Sequence, residues 1–91
     1  MVRKKVLTAE GKLMMVKVEI KAGFVGDVDY HPEEQLCYVE RGTVEFDLSG
    51  EKRMLRQGDV QYVPANEKHQ VRVIDDCTLL DVFTPLRKDL L

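Results

Sequence analysis

Gly58-Asp59-Val60-Gln61-Tyr62-Val63-Pro64-Ala65-Asn66-Glu67-Lys68-His69 is the stretch whose reading decides the fold. A glycine turn opens a short apolar run, Pro64 stops it, and a histidine follows a polar turn. Proline has no N–H to give to a ladder, so the run reads as a brief strand. The other histidine, His31, lies in Asp29-Tyr30-His31-Pro32-Glu33-Glu34-Gln35. Imidazole is the commonest metal ligand in proteins. These are the only 2 histidines in the chain, and each stands beside polar donors and near a glycine-bounded strand signal. The pair reads as one metal pocket.

Outward from these two stretches the pattern is β throughout. Leu13 to Ile20 alternates, with Met14, Val16, Val18 and Ile20 on one face and Lys17 and Glu19 on the other. Gly23 and Gly26 then punctuate a turn. Residues 36–40 and 43–48 flank Arg41-Gly42, which predicts a hairpin. Ser49-Gly50-Glu51 turns the chain into a strand over 52–56, and Gln57-Gly58-Asp59 turns it again. Residues 69–74 and 77–83 are expected as two strands separated by Asp75-Asp76, and only the tail, 86–91, suits a helical turn. Turn signals at roughly 8–12 residue spacing point to a sandwich or barrel. The expectation is an all-β fold, one small antiparallel barrel over about residues 13–85 of a single domain, 1–91.

Composition bounds the function. A chain of 91 residues buries only about 60% of its unfolded surface, so the core is thin and a second copy would help. An edge strand at Leu13–Ile20 would need covering, which adds to the expectation of a homodimer. The net charge of −2 gives no electrostatic case for nucleic acid or an anionic membrane. The basic start, Met1 to Leu7, lacks the apolar stretch of a signal peptide, and no run reaches the ~20 apolar residues of a membrane span. A cytoplasmic location is expected, and Cys37 and Cys77 read as buried small hydrophobes, not a disulfide.

Parity refines the pocket. In an extended strand Asp29, His31 and Gln35 would share a face, while Glu34 would point away. His69 would come from a different strand, joined through Gly58–Pro64. Two imidazoles, a carboxylate and an amide oxygen suit a divalent transition metal: Fe(II), Mn(II), Ni(II), Co(II) or Zn(II). Two histidines with one carboxylate also match the facial triad of non-haem iron sites.

These residues carry a resemblance to the single-domain cupins, small jelly-roll barrels with a metal site in the mouth. Gly23, Asp29, His31, Gln35 and Gly42 occupy the slots of the first cupin motif, and Gly58, Pro64, Asn66, His69 and Val73 those of the second. Asp29 stands where the family has its first histidine, and Gln35 where it usually has glutamate. The ending Leu80-Asp81-Val82-Phe83-Thr84-Pro85-Leu86-Arg87-Lys88-Asp89 is similar to that of the small pectin-degradation cupins, as are His31-Pro32-Glu33-Glu34-Gln35 and Tyr38-Val39-Glu40-Arg41-Gly42. That subfamily opens the ring of 4,5-unsaturated uronic acids and has glutamine as a metal ligand.

The resemblance implies metal ligation by His31, Gln35, His69 and Asp29, and a catalytic trio of Asp81, Phe83 and Arg87. Arg87 would grip a uronate carboxylate, Asp81 would move a proton and Phe83 would pack on the sugar face. A different cupin enzyme, such as a dioxygenase or isomerase, and a non-catalytic sugar-binding module are the alternatives, because fold does not fix chemistry.

Overall fold

The alternation of the sequence becomes an alternation of burial. In the computed structural model, which describes residues 1–91, β2 (Leu13–Ile20) buries Met14, Val16, Val18 and Ile20 and leaves the residues between them partly exposed. The other strands are β1 (Val2–Glu10), β3 (Glu34–Leu48), β4 (Glu51–Arg56), β5 (Val60–Val63) and β6 (His69–Thr84). A 3-10 turn over Lys88–Leu90 closes the chain, within the tail expected to be helical. Every strand pair is antiparallel, in the order β1-β2-β6-β3-β4, with β5 also paired to β3.

Two long strands, β3 and β6, form the spine. Their ladder runs from Glu34↔Thr84 to Leu48↔His69, with register shifts clustered between Val39 and Val44. This corrects two expectations. Arg41-Gly42 is not a hairpin turn, and Asp75-Asp76 does not separate two strands; both strands run through. A two-residue type I′ turn needs two adjacent left-handed residues. Here only Gly42 has positive φ, at 91°, so the chain bulges and bends instead of reversing. Asp76 faces the bend, and its Oδ1 accepts the Ala22 N–H at 2.8 Å, tying the β6 bulge to the loop after β2.

The paired bends fold the ladder into two layers. One contains β1, β2, the second half of β6, the first half of β3 and β5; the other contains the first half of β6, the second half of β3 and β4. This is the jelly-roll arrangement. Fourteen buried apolar side chains make the core, with Phe46 and Phe83 the largest. Cys37 and Cys77 belong to it, reduced and buried.

β1 lies outside the expected 13–85 core range, because Arg3, Lys4 and Lys5 mask the alternation of Val2 and Val6. It pairs with β2 from Val2↔Ile20 to Glu10↔Leu13. Leu13–Ile20 is therefore not an edge strand: β2 sits between β1 and β6, and β1 is the edge. No helix is long and apolar enough to cross a membrane. Between the inner face of β1, β2 and β6 and the segment 24–29 lies a cavity of about 880 Å³.

Gly42 is the most demanding position of the bend. A Cβ there would lie 2.3 Å from the Asp76 carbonyl oxygen and 2.7 Å from the Cys77 Cα. Gly42→Ala is expected to lower unfolding stability by more than about 2 kcal/mol, from the left-handed backbone and the overlap together. Gly50→Ala, at the same φ of 91° but with open space around it, should cost only about 1 kcal/mol. Urea denaturation of both variants checks the pair; equal losses would refute the close-approach account.

Candidate functional site

Backbone pairing assembles the site. The segment 23–29 runs beside the first half of β6 as a broken strand: Gly23 and Gly26 N–H groups donate to the Val73 and Val71 carbonyls. It ends in a reciprocal pair, Asp29 N–H to His69 O and His69 N–H to Asp29 O, each 2.9 Å. Two residues on, the His31 carbonyl accepts the Asn66 N–H at 2.7 Å. Asn66 has φ of 65°, the left-handed conformation that asparagine tolerates, so the turn after Pro64 reaches back to hold His31. The two sequence stretches are thus clasped to each other.

Asp29, His31 and His69 bring one ligand atom each to within 4.8 Å of one another. The parity argument expected Asp29, His31 and Gln35 on one face of a single strand, and the strand does not reach that far. β3 begins at Glu34, so only Gln35 sits on a regular strand, while Asp29 and His31 lie in the loop before it. Glu34 does point outward, where its carboxylate accepts the Tyr62 hydroxyl at 2.6 Å.

The hydrogen bonds fix both imidazole tautomers. His31 Nδ1–H donates to the Glu33 carbonyl and His69 Nδ1–H to the Glu67 carbonyl, each at 2.9 Å. A carbonyl only accepts, so Nδ1 carries the proton and Nε2 of a neutral ring presents a lone pair. His31 Nε2 lies 3.0 Å from Gln35 Oε1. The glutamine cannot turn its NH₂ to that nitrogen without losing its bond to Asp81 Oδ1, also 3.0 Å. With His31 neutral and Asp81 ionised, two acceptors then face each other in a buried place, His31 at 5% and Gln35 at 7% exposure. That conflict is relieved by a shared proton or by a cation. With Asp29 and His69 close by, the donor set fits a divalent transition metal.

Aromatic rings hold the imidazole planes. Phe46 stacks on His69 at 5.9 Å between centroids, and Phe83 meets His31 edge-on at 5.6 Å. Such packing keeps a ligand aimed before a metal arrives.

The three residues singled out near the C-terminus converge on the same cavity. Asp81 faces inward from β6, opposite Cys37 and Val16. Burial pushes its carboxyl pKa up, while hydrogen bonds from the Cys37 thiol and the Gln35 amide oppose the shift. Burial also raises the Cys37 thiol, and the Asp81 charge adds to it. Phe83 is buried beside Gln35 in the ladder, and the Arg87 guanidinium lies 5.2 Å from the centroid of its ring. One edge of the Arg87 fork is taken: Nε and Nη2 donate to Asp89 at 3.3 and 2.8 Å. Its Nη1 stands 3.8 Å from Asp29 Oδ2. The sequence motifs do not include Phe46 or Lys4, which also line the cavity. For Lys4 the signal was Val2-x-Lys4-x-Val6, an alternation that turns its side chain inward opposite Val18.

Known proteins share this fold. The cupin domain family model matches residues 16–83. The pectin degradation protein KdgF of Dickeya dadantii (strain 3937) is 36% identical over 92 residues, spanning 99% of this chain and 84% of that protein. The structure of KdgF from Halomonas sp. superposes with a TM-score of 0.95 at 34% identity, covering 99% of this chain and 84% of that one. An RmlC-like cupin from Shewanella frigidimarina NCIMB 400 gives a TM-score of 0.94 at 29% identity, covering 99% and 81%. By its sequence, its jelly-roll fold and its clasped motif pair, the chain belongs to the cupin domain family.

Proposed function

We propose that this cupin opens the ring of 4,5-unsaturated uronates, with a divalent transition metal held by His31, Gln35, His69 and Asp29. The single observation that carries the metal is the meeting of one ligand atom each from Asp29, His31 and His69 within 4.8 Å, with Gln35 Oε1 3.0 Å from His31 Nε2. The likeness to KdgF along almost the whole chain supports the substrate class. A bound metal supplies Lewis-acid polarisation of the sugar oxygens.

The chain's own groups do the rest. Phe83 gives the sugar a flat apolar wall, and Arg87 at the mouth offers N–H donors to its oxygens. Asp81 takes the proton of the anomeric hydroxyl as the bond between C1 and the ring oxygen breaks. The released enolate becomes a ketone at C5 when Asp81 returns that proton to C4, so the reaction is an isomerisation and its atoms balance. A carboxyl whose pKa is raised by burial suits both transfers. Gln35 bonds to Asp81 and so links the proton-transfer group to the ligand set.

The outer sheet face supports the homodimer. Leu36, Tyr38, Val60 and Tyr62 are 38–47% exposed on the side of β3 and β5 away from the cavity. Val82 and Leu80 continue the same face on β6, in register with Leu36 and Tyr38. A contiguous apolar face of this kind is uncommon on a monomer.

Three outcomes are expected. The absorbance of unsaturated galacturonate should fall faster with protein than without, and Asp81→Asn should slow that loss at least ~100-fold; an equal loss with and without protein would reject ring opening. By metal titration, Asp29→Ala should weaken binding at least about tenfold and Asp29→His should retain or raise it, whereas equal affinity of all three proteins would place Asp29 outside the ligand set. Light scattering should give twice the 10.5 kDa chain mass, reverting to one chain in Leu36→Glu/Tyr62→Glu; a monomeric parent protein excludes the dimer.

A further inference from the structure

Lys4 is the one charged residue on the inward face of β1, where Val2 and Val6 flank it and pack against the core. An inward lysine opposite Val18 breaks the pattern of that face. It is not there to neutralise a neighbour: the ion pairs of the molecule involve Lys21, His31, Arg72 and Arg87, and no carboxylate lies within 4.0 Å of the Lys4 Nζ. Nor does its side chain donate to any group of the protein. Yet it lines the cavity together with Asp81, Phe83 and Asp29.

The charges of the cavity wall make this unpaired cation consequential. Asp27, Asp29 and Asp81 bring negative charge, and only Lys4 and Arg87 bring positive. Arg87 is already engaged by Asp89 and lies beside Asp29. An entering carboxylate therefore meets one cation without a partner. An ammonium at the end of a flexible stem, with three donors, can follow such a group into place.

We propose that Lys4 is a specificity-determining residue that holds the carboxylate of an anionic sugar acid in this cavity. This rests on the sugar-acid reading above and assigns the carboxylate to Lys4, leaving Arg87 to the hydroxyl oxygens and to Asp29. The ladder supports the placement. Lys4 stands opposite Val18, one inward row from the Val16–Asp81 row, so a carboxylate at Lys4 would leave the adjoining sugar carbons beside Asp81.

The test separates acid from neutral sugar. Metal-loaded protein is titrated calorimetrically with galacturonate and with its methyl ester, neither of which carries the reacting double bond. The parent protein should bind the acid at least about tenfold more tightly than the ester, as a charged hydrogen bond implies. Lys4→Met should bind both alike, with ester affinity and metal content unchanged, and Lys4→Arg should restore part of the preference. The proposal is overturned if the parent protein shows no preference for the acid, or if Lys4→Met keeps the preference. Lys4→Gln serves as a second neutral variant. Preference for the acid without acceleration of ring opening would sink the reaction proposed above and leave Lys4 as the anchor.

Discussion

Asp29 and His69 exchange backbone hydrogen bonds in both directions, and the rest of the site depends on that exchange. The loop of 13 residues between β2 and β3 already follows β6 through Gly23 and Gly26, and the exchange carries that pairing to within two residues of His31. The exchange fixes one end of the loop to β6, the Asn66 bond to His31 fixes the next residues to the β5–β6 turn, and β3 takes over at Glu34. Each tether uses backbone groups, so the side chains of Asp29, His31 and His69 remain available. The loop thus has the rigidity of a strand in its backbone and the freedom of a loop in its side-chain directions. Positioning ligands before metal binding lowers the ordering cost of binding.

The same economy links chemistry to fold along β3. Gln35, Cys37 and Val39 face inward at successive alternate positions, moving from the ligand set, through the thiol beside Asp81, to the core. The bend at Gly42 then folds β3 over so that Phe46 arrives against His69. One strand supplies the Gln35 amide, the thiol beside Asp81 and the ring that stacks on His69. Displacing the bend would shift all of these at once.

Local chemistry was legible in the sequence where it was carried by short-range pattern. The alternation of β2, the histidine slots, the outward Glu34 and the buried cysteines follow from parity and punctuation. Long-range consequences were not. Gly42 signals a left-handed residue, but whether one such residue makes a hairpin or a bulge depends on what lies across the sheet, and Asp76 is far away in sequence. β1 was hidden because lysine and arginine side chains exposed at an edge strand obscure period two. The grouping of Asp29 with His31 was readable from the motif spacing, but its cause, a loop pinned by Asn66 and His69, lies in tertiary hydrogen bonds that no local pattern encodes.

Asp29 replaces the histidine found at its motif slot, and the structure gives that replacement an electrostatic sense. A carboxylate in place of imidazole makes the cluster of Asp29, His31 and His69 more negative by one unit, which would favour a cation and disfavour an anion there. The wall compensates on both sides. Arg87 approaches Asp29 to 3.8 Å, and Lys4 stands unpaired across the cavity. Asp29 Oδ1 is also engaged by the Tyr30 N–H at 2.9 Å, which holds a short side chain in one orientation where imidazole would have had reach to spare. Asp29 therefore brings to the His31–His69 cluster a negative charge that Arg87 and Lys4 face from the cavity wall.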